Sequence, residues 1–113
     1  MASVEQVKSL YRRTLRETIV IRRYTGTGVN RPFIDVPCRG KAEKYAASEL
    51  IGTIVQGDQR VLVFYEDVAR GGLLTLTTND KVAVSGRELT IKAIAGERKE
   101  GPTLIAYELQ VQG

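Results

Sequence analysis

The spacing of apolar residues changes near residue 17, and this change constrains the fold more than any other feature. Before it, Val4, Val7, Tyr11 and Leu15 recur every three or four residues, which places them on one face of a helix. After it, apolar residues alternate with polar ones along several short segments, which is typical of strands. A chain with one short helical stretch followed by alternating segments must bury most of its core in a β-sheet.

The first 17 residues are predicted to form an N-terminal helix. Ser3 and Gln6 have the spacing of a capping box, in which each side chain satisfies an amide at the start of the helix. The face opposite the apolar one is basic, and we favour a solvated face over a partner surface for it. That face carries Lys8, Arg12, Arg13 and Arg16.

The rest of the chain, residues 18–113, contains about six segments with strand character separated by glycine-containing turns. The predicted strands are Thr18–Tyr24, Phe33 to about Tyr45, Val61–Tyr65, Lys81–Val84, Glu88–Ala95 and Thr103–Val111. Val61–Tyr65 is apolar throughout, so we expect a central strand covered on both sides. Residues 1–113 are therefore predicted to be a single, mostly β domain: a small antiparallel barrel or sandwich with one helix.

Strict alternation assigns faces within the last two strands. Leu89, Ile91 and Ala93 are predicted on one face of their strand. In the final strand, Thr103, Ile105, Tyr107, Leu109 and Val111 are predicted to face one way and Leu104, Ala106, Glu108 and Gln110 the other.

The longest excursions from the sheet are predicted at Thr25–Arg31 and Arg39–Asp58. Pro37 has no backbone N–H to donate, so it confines its segment to a sheet edge or a bulge. Ser48–Ile51 is predicted to form a helical turn ended by Gly52.

The residue types of most catalytic sites are missing. The chain has no histidine and one cysteine, Cys38, which we expect to be a packed apolar side chain and not a reactive thiol. Glu66 and Asp67 are adjacent on an expected strand and would point to opposite faces. We therefore expect no enzyme activity, no cofactor and no metal site. No apolar run approaches the ~20 residues of a membrane span, so a protein made in the cytoplasm without a membrane partner is expected.

Charge is unevenly distributed along the chain. Residues 1–44 carry ten Lys or Arg and four acids, a net charge of +6, and the remainder has a net charge of −2. Such a division favours either proximity to nucleic acid or head-to-tail packing of identical subunits.

Several segments resemble the small head-completion, or stopper, proteins of tailed-bacteriophage necks. The residues that carry the resemblance are Glu17–Gly28, Leu50–Gly52, Ile54–Asp58, Gly86–Ile91 and Leu104–Val111. The resemblance spans most of the chain from Glu17 onward and is weakest in the N-terminal helix.

The resemblance implies a structural protein of the virion neck, assembled in the host cytoplasm. It implies a hexameric or dodecameric ring between the portal or adaptor and the tail terminator or tail tube. Such a ring retains packaged double-stranded DNA by nonspecific contact and offers an attachment platform to the tail. Loop cations would lie nearest the DNA, and the candidates are Arg39, Lys41, Lys44, Arg22 and Arg23.

Two alternatives remain open from the sequence. A small basic barrel of the OB or SH3-like kind would bind RNA or single-stranded DNA as a monomer, tightly and with strong salt dependence. The other alternative is an enzyme subunit whose active site is completed by another chain.

Overall fold

The computed structural model describes residues 3–50, 52, 54, 57–73 and 75–112. Two helices and six strands follow one another along the chain. They are α1 (Val4–Thr14), β1 (Glu17–Tyr24), β2 (Phe33–Lys44), β3 (Asp58–Phe64), α2 (Tyr65–Arg70), β4 (Lys81–Val84), β5 (Arg87–Glu100) and β6 (Thr103–Gln112).

The six strands form a closed antiparallel barrel in the order β1-β2-β3-β6-β5-β4, which confirms the predicted fold class. The long strand β2 pairs with β1 through its first part and with β3 through its last part. Gly40 is where the two ladders overlap, because it is in register with both Glu17 of β1 and Val63 of β3. A strand shared in this way turns the sheet, which is how a small barrel closes.

The inward faces of the strands build one apolar core. Ile19, Val61 and Leu109 are fully buried in it. Val68 of α2, and Leu73 and Leu76 after it, belong to the same cluster. The single helical turn and the segment behind it are therefore part of the barrel core.

Helix α1 packs on the outside of the barrel, against β6 and the outward-facing apolar residues of β3. Leu15, Phe64 and Ile105 form a second buried cluster, against which Val4, Val7 and Tyr11 pack. The predicted capping box at Ser3 and Gln6 is present. Strand β3 is therefore covered on both sides, by the core within and by α1 outside, as its apolar sequence predicted.

The predicted strand Val61–Tyr65 is wrong at its end. The strand stops at Phe64, and Tyr65 begins α2, so Glu66 and Asp67 lie on a helix and not on a strand. Short apolar runs do not distinguish strand from helix by periodicity. Here Phe64 completes the second cluster, and Val68, one helical turn further on, enters the main core.

Strict alternation also fails where β5 pairs with β6, because the register of the two strands shifts at three places, one of them between Ile94 and Gly96. The register of β5 with β6 shifts between Ile91 and Ala93, so Ile94 and not Ala93 packs against the main core. It shifts again between Arg98 and Lys99, where Leu104 packs against the main core and Ile105 joins the second cluster. An extra residue in one strand reverses the faces beyond it.

The side chain of Lys92, at the first bulge, takes part in a polar cluster around Asp58. Lys92 Nζ lies 2.7 Å from Asp58 Oδ2, and Gln110 Nε2 donates to the same oxygen at 3.0 Å. Asp58 is buried, so both contacts offset the loss of its hydration.

The turns and the edge position agree with the sequence-based predictions better than the strand ends and strand faces do. Ser85 and Gly86 both have positive φ, 52° and 80°, and link β4 to β5 in a two-residue turn. Among the described strands, β1 alone pairs with the part of β2 that contains Pro37, which is the edge position predicted for it. A 3-10 turn occupies Ala47–Glu49; Ile51, the predicted end of that turn, lies outside the described residues.

Replacing Gly40 by alanine should destabilise the barrel. An added Cβ would lie 2.5 Å from Ile19 Cγ1 and closer still to the carbonyl oxygen of Leu62, so two strands would have to separate. We expect the free energy of unfolding in urea to fall by about 1–3 kcal/mol or more.

The control is Gly96→Ala in β5, where an added Cβ meets nothing within 4 Å. It should be neutral or slightly stabilising. Equal effects of the two substitutions would contradict the role given to Gly40.

Candidate functional site

None of the five predicted DNA-facing cations lies in a loop. Arg22 and Arg23 are on β1, and Arg39, Lys41 and Lys44 are on β2. The predicted excursion Arg39–Asp58 is therefore wrong over its first six residues, because β2 continues to Lys44 and pairs with β3 there. Whether any of these side chains faces DNA stays a prediction.

Arg22 is held in an ion-pair cluster on the outer face of the barrel. Its Nε and Nη2 donate to the two oxygens of Asp35 at 2.7 and 3.0 Å, and Nη1 donates to Glu88 at 3.0 Å. The hydroxyl of Tyr24 donates to the same Glu88 oxygen at 2.6 Å. The cluster joins β1 to β2 on one side and, across β4, to β5 on the other.

The guanidinium of Arg23 donates more hydrogen bonds within the chain than that of Arg22 does. Its Nε and Nη2 donate to Asp80 at 2.8 and 2.9 Å, and Nη2 also donates to the carbonyl oxygens of Leu73 and Thr75. Asp80 is buried and also accepts the backbone N–H of Thr77. Arg23 therefore fastens the segment before β4 to β1.

An arginine lies over one face of Tyr24, Phe33 and Tyr45, and Phe33 remains 48% exposed. Arg31 lies over the ring of Tyr24 at 3.8 Å, and Arg22 lies over Phe33 at 4.2 Å. Arg60 lies 4.9 Å from the ring centre of Tyr45. Proteins that bind single strands without sequence preference stack bases on exposed rings, so these tyrosines offer little room for that.

Arg39 and Lys41 share the outer face of β2, because Cys38 and Gly40 between and beside them are buried. Among the described residues, the guanidinium of Arg39 makes one ion-pair contact, a long one of 3.8 Å with Asp67, and its side chain is 47% exposed. Lys41 is exposed and has no ion pair among the described residues. These two cations are therefore available to a partner.

Lys44 does not continue this row. It lies an odd number of positions from Lys41, at the end of β2, and lines a depression with Tyr45 and Leu50. The segment that follows is fastened to the barrel, because Arg60 of β3 pairs with Glu49. Within the predicted excursion Arg39–Asp58, the described segment after Lys44 is therefore bound to β3 through Glu49.

A cleft of about 520 Å³ lies where the end of α1 meets β1, β2 and α2. Three arginines line it: Arg12, Arg16 and Arg39. We call it the arginine cleft. Arg39 was predicted as a binding residue, but Arg12 and Arg16 were assigned to a solvated helix face. Only the packing of α1 against the barrel brings them to Arg39, and no local sequence signal shows that packing.

Cys38 is among the residues that line this cleft, and its side chain is buried in the main core and is not reactive in character. Burial, followed by the negative charge of Asp67, raises its pKa to about 12. The thiol therefore stays protonated at neutral pH, in agreement with the predicted packing role.

Within the described ranges, no group of three or more His, Cys, Asp or Glu side chains is placed to hold a metal ion. Neither described helix is long and apolar enough to cross a membrane. A scan against protein-family models finds no match, and a search of curated protein sequences finds no significant match.

The Arg22 cluster should make stability depend on pH in acid. Hydrogen bonds from Arg22 hold the pKa of Asp35 below its ordinary 3.8, and those from Tyr24 and then Arg22 hold the pKa of Glu88 below 4.5. A lowered pKa in the folded state adds stability above the ordinary value, and this is lost as the pH falls through the lowered one. Arg22→Gln should therefore lower the urea midpoint at about pH 6 and lose less on going to about pH 3 than the wild type does.

The matched control is Arg87→Gln, which removes an exposed arginine that has no ion pair among the described residues. It should leave both midpoints and their difference unchanged. An Arg22→Gln protein with the acid dependence of the wild type would contradict the cluster's contribution.

Proposed function

We propose that this chain is a structural protein of the tailed-phage neck, forming a ring between the portal or adaptor and the tail. The sequence resemblance from Glu17 onward suggests this role, and the closed barrel is compatible with it. A small closed barrel with a packed core is a rigid unit that can be repeated around a channel.

The observation that carries the proposal is the selective pairing of charge. Arg22, Arg23 and Arg60 are held within the chain by carboxylates, whereas Arg39 and Lys41 project from one strand without a close partner. Cations left together on one outer face suit nonspecific contact with a phosphate backbone or with an acidic neighbour in a ring.

The neck proposal is favoured over a monomeric single-strand binder. Such a binder needs exposed rings among its basic residues, and the rings of Tyr24 and Tyr45 lie under arginines. Contact with packaged DNA through its backbone needs cations and does not need exposed rings for base stacking.

Reversing Lys41 and Lys44 to glutamate in the phage should reduce the fraction of heads that keep their genome or accept a tail. Both side chains are exposed, so the fold should persist, and circular dichroism and the urea midpoint check this. Filled heads and tailed particles are counted by electron microscopy, and a fall of about tenfold is expected because like charges repel the DNA backbone.

The control carries the same change of charge at Arg13→Glu and Arg87→Glu, two exposed positions away from the outer face of β2. It should leave packaging and tail attachment near the wild-type level. Normal particles from the Lys41 and Lys44 variant would overturn the assignment of these residues.

A further inference from the structure

The arginine cleft is lined by three arginines and two carboxylates, and two of the arginines have no short ion pair among the described residues. Arg16 has no ion pair among the described residues. Arg12 shares Glu5 and Glu66 through a single nitrogen, Nη2, at 3.3 Å each, so its other donors remain available.

The two carboxylates beside the cleft are turned to other donors. Asp67 Oδ2 accepts the backbone N–H of Arg39 at 2.8 Å, and Oδ1 accepts from Arg70 at 3.3 Å. Glu17 Oε2 accepts the backbone N–H of Ala42 at 3.1 Å. Among the described residues, Glu17 forms no ion pair with a guanidinium of the cleft. Asp67 forms only a long one, 3.8 Å from Arg39.

A structural role explains only part of this charge. Arg12 lies in the last turn of α1, where a cation offsets the negative end of the helix dipole. Arg16 lies beyond the helix, which ends at Thr14, and Arg39 lies on a strand. Their convergence on one cleft is not explained by the stability of α1.

The ligand chemistry that fits is a phosphate oxyanion. Guanidinium groups donate two parallel hydrogen bonds to phosphate oxygens. Lys41 lies two residues beyond Arg39 on the same face, about 7 Å further along the strand, and could contact a second phosphate of the same chain. A row of cations leading out of a cleft suits a polyanion better than a single small ion.

We propose that the arginine cleft, continued by Lys41, is a binding site for the phosphodiester backbone of double-stranded DNA. The inference rests on the proposed function, because packaged DNA is the polyanion a neck ring meets. It moves the principal DNA contact from the predicted loop to the junction of α1 and β2.

The test measures duplex binding by the purified chain, with a fluorescent 20-base-pair duplex and anisotropy across a range of salt concentrations. We expect a dissociation constant of about 1–100 µM at low salt. Contacts from Arg16, Arg39 and Lys41 predict that log K falls against log salt with a slope of about −2.7.

The test variant is Arg16→Gln with Arg39→Gln, and the matched control is Arg13→Gln with Arg87→Gln, which loses the same charge at exposed positions elsewhere. The test variant should bind about tenfold or more weakly with a slope near −0.9, whereas the control should change less than about twofold. Equal losses in the two variants, or no binding by the wild type at low salt, would overturn the proposal.

A second arm titrates inorganic phosphate at constant ionic strength and follows backbone amide shifts by NMR. Shifts around the cleft with phosphate but none with the duplex would assign the cleft to small oxyanions and overturn the DNA assignment. Shifts at the cleft with the duplex, lost in the test variant, would support it. Either result leaves the neck proposal standing, because ring assembly is tested separately in virions.

Discussion

Strand β2 pairs with β1 along its first part and with β3 along its last part, and the rest of the fold depends on this change of partner. β2 leaves β1 and joins β3 around Gly40, whose missing side chain lets Ile19 and the backbone at Leu62 approach closely. This change of partner strand along β2 closes the barrel around one apolar core. It also brings Arg39, on the outer face of β2, to the cleft at the end of α1.

Electrostatics then separates two kinds of cation. Those that fasten strands or segments are matched to carboxylates within the chain, as Arg23 is to the buried Asp80 and Arg60 is to Glu49. Around the arginine cleft, Arg12 is paired with Glu5 and Glu66, but Arg16 has no ion pair among the described residues and the contact between Arg39 and Asp67 is 3.8 Å long. Fixed pairs maintain the scaffold, and the unmatched cations are available for binding.

Much of the fold could be predicted from local sequence patterns, because each pattern reflects a local physical preference. The capping box at Ser3, the turn at Ser85 and the edge position of Pro37 are of this kind. The start of α2 and the bulges near Lys92 and Ile105 were missed, since tertiary packing decides them. The site was only partly predictable for the same reason: Arg39 stood out as a cation, but its meeting with Arg16 depends on how α1 docks on the barrel.

If this chain forms a ring in the phage neck, as we propose, a cryo-electron-microscopy reconstruction of the head–tail junction will show it. We predict a hexameric or dodecameric ring whose density fits the barrel with α1, with the outer face of β2 and the arginine cleft turned toward the DNA or a neighbouring ring. A well-resolved junction in virions made with this protein, but without a ring of this shape, would contradict it.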